Sequence, residues 1–148
     1  MSRLHVEADG TADASVENVW ALVADANTYA AWGPWDEGGY ESAGTDGAQG
    51  VGAVRWFRTG RTRTVEKILE MEEPRRLVYT VMKGVPVRNY RAEVTLTATA
   101  SGTQVTWTAT WDKTLGGRLV HRALAKFYPE MMVGLVSAAE RRQAQGAR

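Results

Sequence analysis

Few side chains in this sequence can move a proton or hold a metal, and none is spaced like an established catalytic set. The two histidines, His5 and His121, fall far apart, one at an outward position of an alternating segment and the other on the polar side of a helical pattern. No His-x-x-x-His or comparable carboxylate spacing accompanies them, so no metal site is expected. Cysteine is absent, which removes thiol catalysis, thiolate ligation and disulfides. There is no Gly-x-Ser-x-Gly nucleophile signature. Asp36 and Glu37, beside Trp35, are the best carboxylates for acid/base work, read either at a pocket mouth or in a solvated loop. Arg55 and Arg88 sit in strand-like segments. Pointing inward, either would need an anionic partner, Glu66 or a ligand carboxylate or phenolate; a surface position is the expectation. No catalytic residue is assigned, and no cofactor is expected.

The chemistry offered in quantity is aromatic. Six tryptophans and five tyrosines in 148 residues supply apolar bodies with polar edges, a composition suited to cores and to ligand pockets alike. The candidate ligand-binding residues are Tyr29, Trp32, Trp35 and Tyr40 around Gly33-Pro34, Trp56 and Tyr79 in the middle strands, Tyr90, Trp107 and Trp111 in the last hairpin, and Phe127 and Met131 in the final helix. For the hairpin and helix members the competing reading is a filled core. For the first four it is a small cluster under a loop. Trp20 reads as helix-to-sheet packing.

These residues need elements to position them. Leu4, Val6 and Ala8 alternate with polar neighbours and predict a strand over 3–12. Ser15 caps a helix whose stripe is Val16, Val19, Trp20 and Val23, and a second short helix over 27–32 stops at Gly33-Pro34. The glycine-rich run 38–52 holds an edge strand near 40–43 and hairpin turns. It is not a phosphate loop, because no Gly-Lys-Ser/Thr follows and no helix opens behind it. Strands are predicted over 51–58, 62–71 and 75–82, with their inward faces unassigned.

The last two strands alternate cleanly. A two-residue turn at Ser101-Gly102 predicts Ala98 opposite Val105, Leu96 opposite Trp107, Val94 opposite Ala109 and Ala92 opposite Trp111, with Thr97 opposite Thr106 and Arg91 opposite Asp112 on the other face. Residues 115–142 then form a long amphipathic helix with Leu119, Ala123, Phe127, Met131, Leu135 and Ala138 on one face, bent or broken near Pro129. Strands flanked by helices make an α+β fold in one domain, the sheet curling round the last helix.

Composition narrows the function. A formal charge of +1 argues against a nucleic-acid binder, and the basic end Arg141, Arg142 and Arg148 is too short to change that. No window approaches eighteen apolar residues and no leader is visible, so a cytoplasmic protein without membrane insertion is expected. Oligomeric state is not legible.

The order of elements, with 14–20 (Ala-Ser-Val-Glu-Asn-Val-Trp), Asp25 followed by Tyr29 and Trp32, Gly50-Val51-Gly52 opening a strand, and the turn 72–77 (Glu-Glu-Pro-Arg-Arg-Leu), resembles the polyketide cyclase/dehydrase and lipid-transport group of the Bet v 1-like, START-related (SRPBCC) superfamily. The resemblance covers nearly the whole chain. It implies a helix-grip fold, a seven-stranded antiparallel sheet wrapped round the C-terminal helix with two short helices at one end, and a cavity between sheet and helix that binds an apolar or aromatic small molecule. Two other functions stay open: a cofactor-independent cyclase or dehydratase, and a co-chaperone-like interaction module using the threonine-rich outer face of the hairpin.

Overall fold

The computed structural model describes residues 3–45, 47 and 49–146. β1 (Arg3–Ala12) is followed by α1 (Val16–Val23), a 3-10 turn (Ala26–Thr28) and α2 (Tyr29–Trp32). Then come β2 (Glu37–Ser42), β3 (Val54–Thr59), β4 (Thr62–Glu72), β5 (Arg76–Lys83), β6 (Arg91–Ala98), β7 (Thr103–Asp112) and α3 (Leu115–Ala144). The strands form one antiparallel sheet in the order β1-β7-β6-β5-β4-β3-β2. This is the expected helix-grip α+β architecture. Ser15 caps α1 through its hydroxyl, which accepts from the Asn18 amide at 3.1 Å.

The hairpin register differs from the expectation by two residues. Leu96 faces Val105, Val94 faces Trp107, Ala92 faces Ala109 and Arg91 faces Thr110. The connection is four residues, not two: the Thr99 amide donates to the Gly102 carbonyl and the Gly102 amide to the Thr99 hydroxyl. A two-residue shift keeps every side chain on its face, so the inward set survives the error.

The middle strands owe their broken alternation to an extra residue. Opposite β5 the register steps between Ile68 and Glu70, leaving Leu69 as a bulge, so the inward set runs Thr62, Thr64, Glu66, Ile68 and then Met71.

Two features of the last helix also depart from expectation. α3 continues through Pro129 without a break. The carbonyl that Pro129 deprives of a partner belongs to Ala125, which is exposed, so solvent can satisfy it. Of the expected stripe, widened by Val120, Leu124 and Met132, the residues Met131, Met132 and Leu135 are buried and Val120, Leu124, Phe127 and Ala138 pack on the core; Leu119 and Ala123 are exposed instead, and Tyr128 and Ala139 are buried in addition. Gly134 lets α3 approach α2, since a Cβ there would lie 2.0 Å from the Trp32 carbonyl oxygen. No helix is long and apolar enough to cross a membrane among the described residues.

Candidate functional site

Between the concave sheet face and the first half of α3 lies a cavity of about 340 Å³. A roomier hollow near Trp20, Val51 and Met71, of about 440 Å³, is a somewhat more open depression lined more by polar than by apolar surface, Gln49 and Glu73 included. In the cavity, α3 supplies Val120, Ala123, Leu124, Phe127, Tyr128 and Met131. The sheet supplies Phe57 from β3, Thr62, Thr64 and Glu66 from β4, and Tyr79 and Val81 from β5; Trp35, Val85 and Tyr90 come from the connections. The walls are largely apolar and the polar groups few, the usual composition of a small-molecule site.

The floor is charged. Arg55, inward on β3, is 1% exposed and pairs with Glu66, its register partner on β4, at 2.9 Å. The surface position expected for Arg55 is therefore wrong: the alternation of β3 puts Arg55 and Phe57 inside and Trp56 outside. Its guanidinium also donates to the Tyr29 hydroxyl at 3.2 Å and lies 4.9–5.3 Å from the ring centroids of Tyr29, Phe57 and Tyr79. Only its Nε lacks a partner among the described residues. Burial works against the Arg55 charge, but Tyr29 and Glu66 outweigh it and hold the guanidinium protonated. Burial pushes the Glu66 carboxyl up, and Arg55 offsets part of that. The Glu66 side chain is 13% exposed and lines the cavity, and among the described residues only one of its oxygens is bonded to protein.

Above this pair sit three tyrosines. Trp107 Nε1 donates to the Tyr79 hydroxyl at 3.0 Å, and the Tyr90 and Tyr128 hydroxyls share a bond at 2.9 Å. Burial, first of all, pushes all three phenols up; the hydroxyls of Tyr79 and Tyr90 add to the effect on Tyr128, and Glu66 adds to that on Tyr79.

Of the aromatic candidates, Trp35, Tyr79, Tyr90, Phe127 and Met131 reach the cavity. Tyr29, Trp32, Trp107 and Trp111 are buried behind or beside it. Tyr29 donates to the Val23 carbonyl at 2.6 Å, Trp32 Nε1 to the Thr28 hydroxyl, and Trp111 Nε1 to the Gly117 carbonyl, so their polar edges are used in the fold. Tyr40 braces the turn before α2, accepting from the Ala26 amide. Trp56 stands on the opposite sheet face, covered by the Arg63 guanidinium at 4.9 Å. It is not a lining residue.

Asp36 and Glu37 do not turn towards the cavity; both bind Arg58 on the exposed side. Arg88 is exposed, as expected. His121, expected to be solvated, instead holds the His5 carbonyl with Nε2 at 3.0 Å. Tyr128 and Glu66 are the main omissions of the sequence reading. Tyr128 was discoverable four residues from Leu124 on the apolar stripe, whereas Glu66 was named only as a conditional partner for Arg55.

The rim is basic. Arg61, Lys83, Lys113, Arg118, Arg122 and Lys126, in the β3–β4 turn, at the ends of β5 and β7 and along the first turns of α3, take part in no ion pair among the described residues. Leu115 and Leu119 project between them, 81% and 65% exposed. At the far end, beside α1 and in the β4–β5 turn, lie Asp13, Glu17 and Glu73, in no ion pair among the described residues, together with Arg141 and Arg142 in the last turn of α3.

Sheet, gripping helix and the cavity between them define a helix-grip protein. The chain belongs to the polyketide cyclase/dehydrase and lipid transport family, whose profile matches residues 3–140. Among solved structures it is similar to a protein from Nitrosospira multiformis (19% identity, 98% of this chain and 100% of that one, TM-score 0.76) and to XoxI from Bacillus cereus (18%, 93% and 95%, 0.71). It is also similar to a protein from Thermobifida fusca (28%, 97% and 95%, 0.69). At these identities the first two likenesses concern the fold alone. No curated protein matches the sequence.

Proposed function

We propose that this protein binds an apolar or aromatic small molecule, lipid- or polyketide-like, in the cavity between sheet and α3. The observation that carries the reading is a half-open cavity of about 340 Å³ whose walls are mostly apolar, with Glu66 and three tyrosines among its few polar groups. Family membership supports a hydrophobic-ligand fold without choosing the ligand. The test is native mass spectrometry of the purified protein followed by tryptophan-fluorescence titration with aromatic polyketides, fatty acids and sterols. Saturable one-to-one binding that is lost when Ala123 at the cavity edge becomes tryptophan supports the reading. A flat response across the panel, or binding indifferent to that plug, overturns it.

A second reading, a cofactor-independent cyclase or dehydratase, is favoured by one observation: the Glu66 carboxyl, its proton affinity raised by burial, turns an unbonded oxygen to the same space. As a base there it would take a proton from carbon or oxygen of a bound polyketone, the cavity supplying proximity. Turnover of a polyketide binder unchanged by Glu66→Gln would remove this version.

A further inference from the structure

The ion pair and the tyrosine cluster together constrain the polarity of the ligand, and the constraint follows from counting protons and charges. Arg55 is already neutralised by Glu66, roofed by the rings of Tyr29, Phe57 and Tyr79, and sealed from the cavity. Its one unpartnered donor among the described residues, Nε, is buried away from the cavity, so the first group an incoming anion would meet at the floor is the Glu66 carboxylate. That carboxylate keeps one oxygen without a protein donor among the described residues, so the floor presents an acceptor.

The tyrosines present the complement. The Tyr79 oxygen already accepts from Trp107, and Tyr90 and Tyr128 use one proton between them. Among the described residues these hydroxyls form no other hydrogen bond; even were Tyr79, a near neighbour, to hand its proton to Tyr128, only two of the three phenolic protons would be placed. At least one has no protein acceptor among the described residues. A buried donor without a partner is costly, as is a buried acceptor, so a ligand that meets both gains twice.

We infer that the cavity selects a neutral ligand bearing both a hydroxyl, which donates to the free Glu66 oxygen, and a carbonyl, which accepts the spare phenolic proton of the Tyr79, Tyr90 and Tyr128 cluster: a hydroxylated aromatic ketone, not a molecule that buries a carboxylate. The inference rests on the binding reading above and specifies its ligand class.

The test is calorimetric titration of ethylnaphthalene, acetylnaphthalene and a set of hydroxyacetylnaphthalene positional isomers into the wild-type protein, the Arg55→Met/Glu66→Met double variant and the Tyr79→Phe/Tyr90→Phe/Tyr128→Phe triple variant. The best hydroxylated isomer should bind the wild type roughly tenfold to a hundredfold tighter than acetylnaphthalene, the size of a hydrogen bond to a charged group. That ratio should collapse towards one in the Arg55→Met/Glu66→Met protein. In the tyrosine variant the hydroxyl advantage should persist while the advantage of acetylnaphthalene over ethylnaphthalene disappears. Acetylnaphthalene binding to the wild type with no gain from a hydroxyl at any position overturns the inference and leaves the binding reading standing. A hydroxyl gain that survives loss of Glu66 overturns it too. Failure of every naphthalene to bind the wild type overturns the inference as well, while the binding reading falls with a flat response across the wider panel of polyketides, fatty acids and sterols. The wild-type comparison decides the matter even where a variant does not fold.

Discussion

Arg55 and Glu66 are register partners on β3 and β4, and their side chains meet at 2.9 Å beneath the cavity. The two members are unequal in one respect: a guanidinium cannot shed its proton at ordinary pH, whereas a carboxyl can become neutral. Glu66→Met therefore strands a buried cation and should cost about 3–5 kcal/mol, while Arg55→Met leaves an acid that protonates and should cost distinctly less. The double replacement should lie close to the wild type. Urea denaturation of the four proteins at neutral pH checks this, and equal costs for the two single variants would contradict it.

All five tyrosines are held above the ordinary phenol range, chiefly by burial, with Tyr29 pushed up to about 12. The folded protein keeps these protons at a pH where the unfolded chain, with phenols near 10, has released them. Folding stability is thus fully present below pH 10 and falls as pH rises; for Tyr29 alone the loss between 10 and 12 amounts to roughly 2–3 kcal/mol. Ultraviolet titration of the native protein should show almost no phenolate at pH 10 and then a cooperative rise coincident with unfolding. A gradual, non-cooperative titration centred near 10 would refute the burial argument.

Ala123 is exposed on α3 at the edge of the cavity, so a larger side chain there has room to turn in without displacing the core. Ala123→Trp should leave thermal stability within about 1 kcal/mol, as surface changes do, and lower probe affinity at least tenfold. Calorimetric melting paired with fluorescence titration reads both; unchanged affinity would place the ligand elsewhere.

Gly134 shows the opposite sensitivity. An added methyl meets the Trp32 carbonyl oxygen at 2.0 Å, a contact with backbone that cannot swing aside. Gly134→Ala should be destabilising by about 1–3 kcal/mol despite the better helix propensity of alanine, because overpacking outweighs it. A higher melting temperature for this variant would show that α3 can slide away from α2.

The architecture was legible because its signals are periodic: the alternation of 103–112, the Ser15 cap and the apolar stripe of α3 each fix an element without neighbours. What escaped depends on information that one strand does not carry. A hairpin slipped by two residues buries the same side chains, so Trp107 could be placed on the right face and opposite the wrong partner. The Leu69 bulge inverts the faces of the last three residues of β4, 70–72, which reads in sequence as noise. The site suffered most at Glu66. A buried carboxylate contradicts every local preference of a strand interior and makes sense only once Arg55 is across from it, and such conflicts concentrate where a protein binds or reacts.

The cations Arg61, Lys83, Lys113, Arg118, Arg122 and Lys126, unpaired among the described residues, gather at one end of a chain whose formal charge is only +1, whereas Arg141 and Arg142 at the other end stand near Asp13, Glu17 and Glu73. The excess is local. A polyanion is drawn to the open end at short range, with little net pull on the whole body. That attraction is strongest in dilute buffer and fades as the screening length contracts to about 8 Å at physiological salt. Encounter at the open end is therefore set by ionic strength, independently of what the cavity holds.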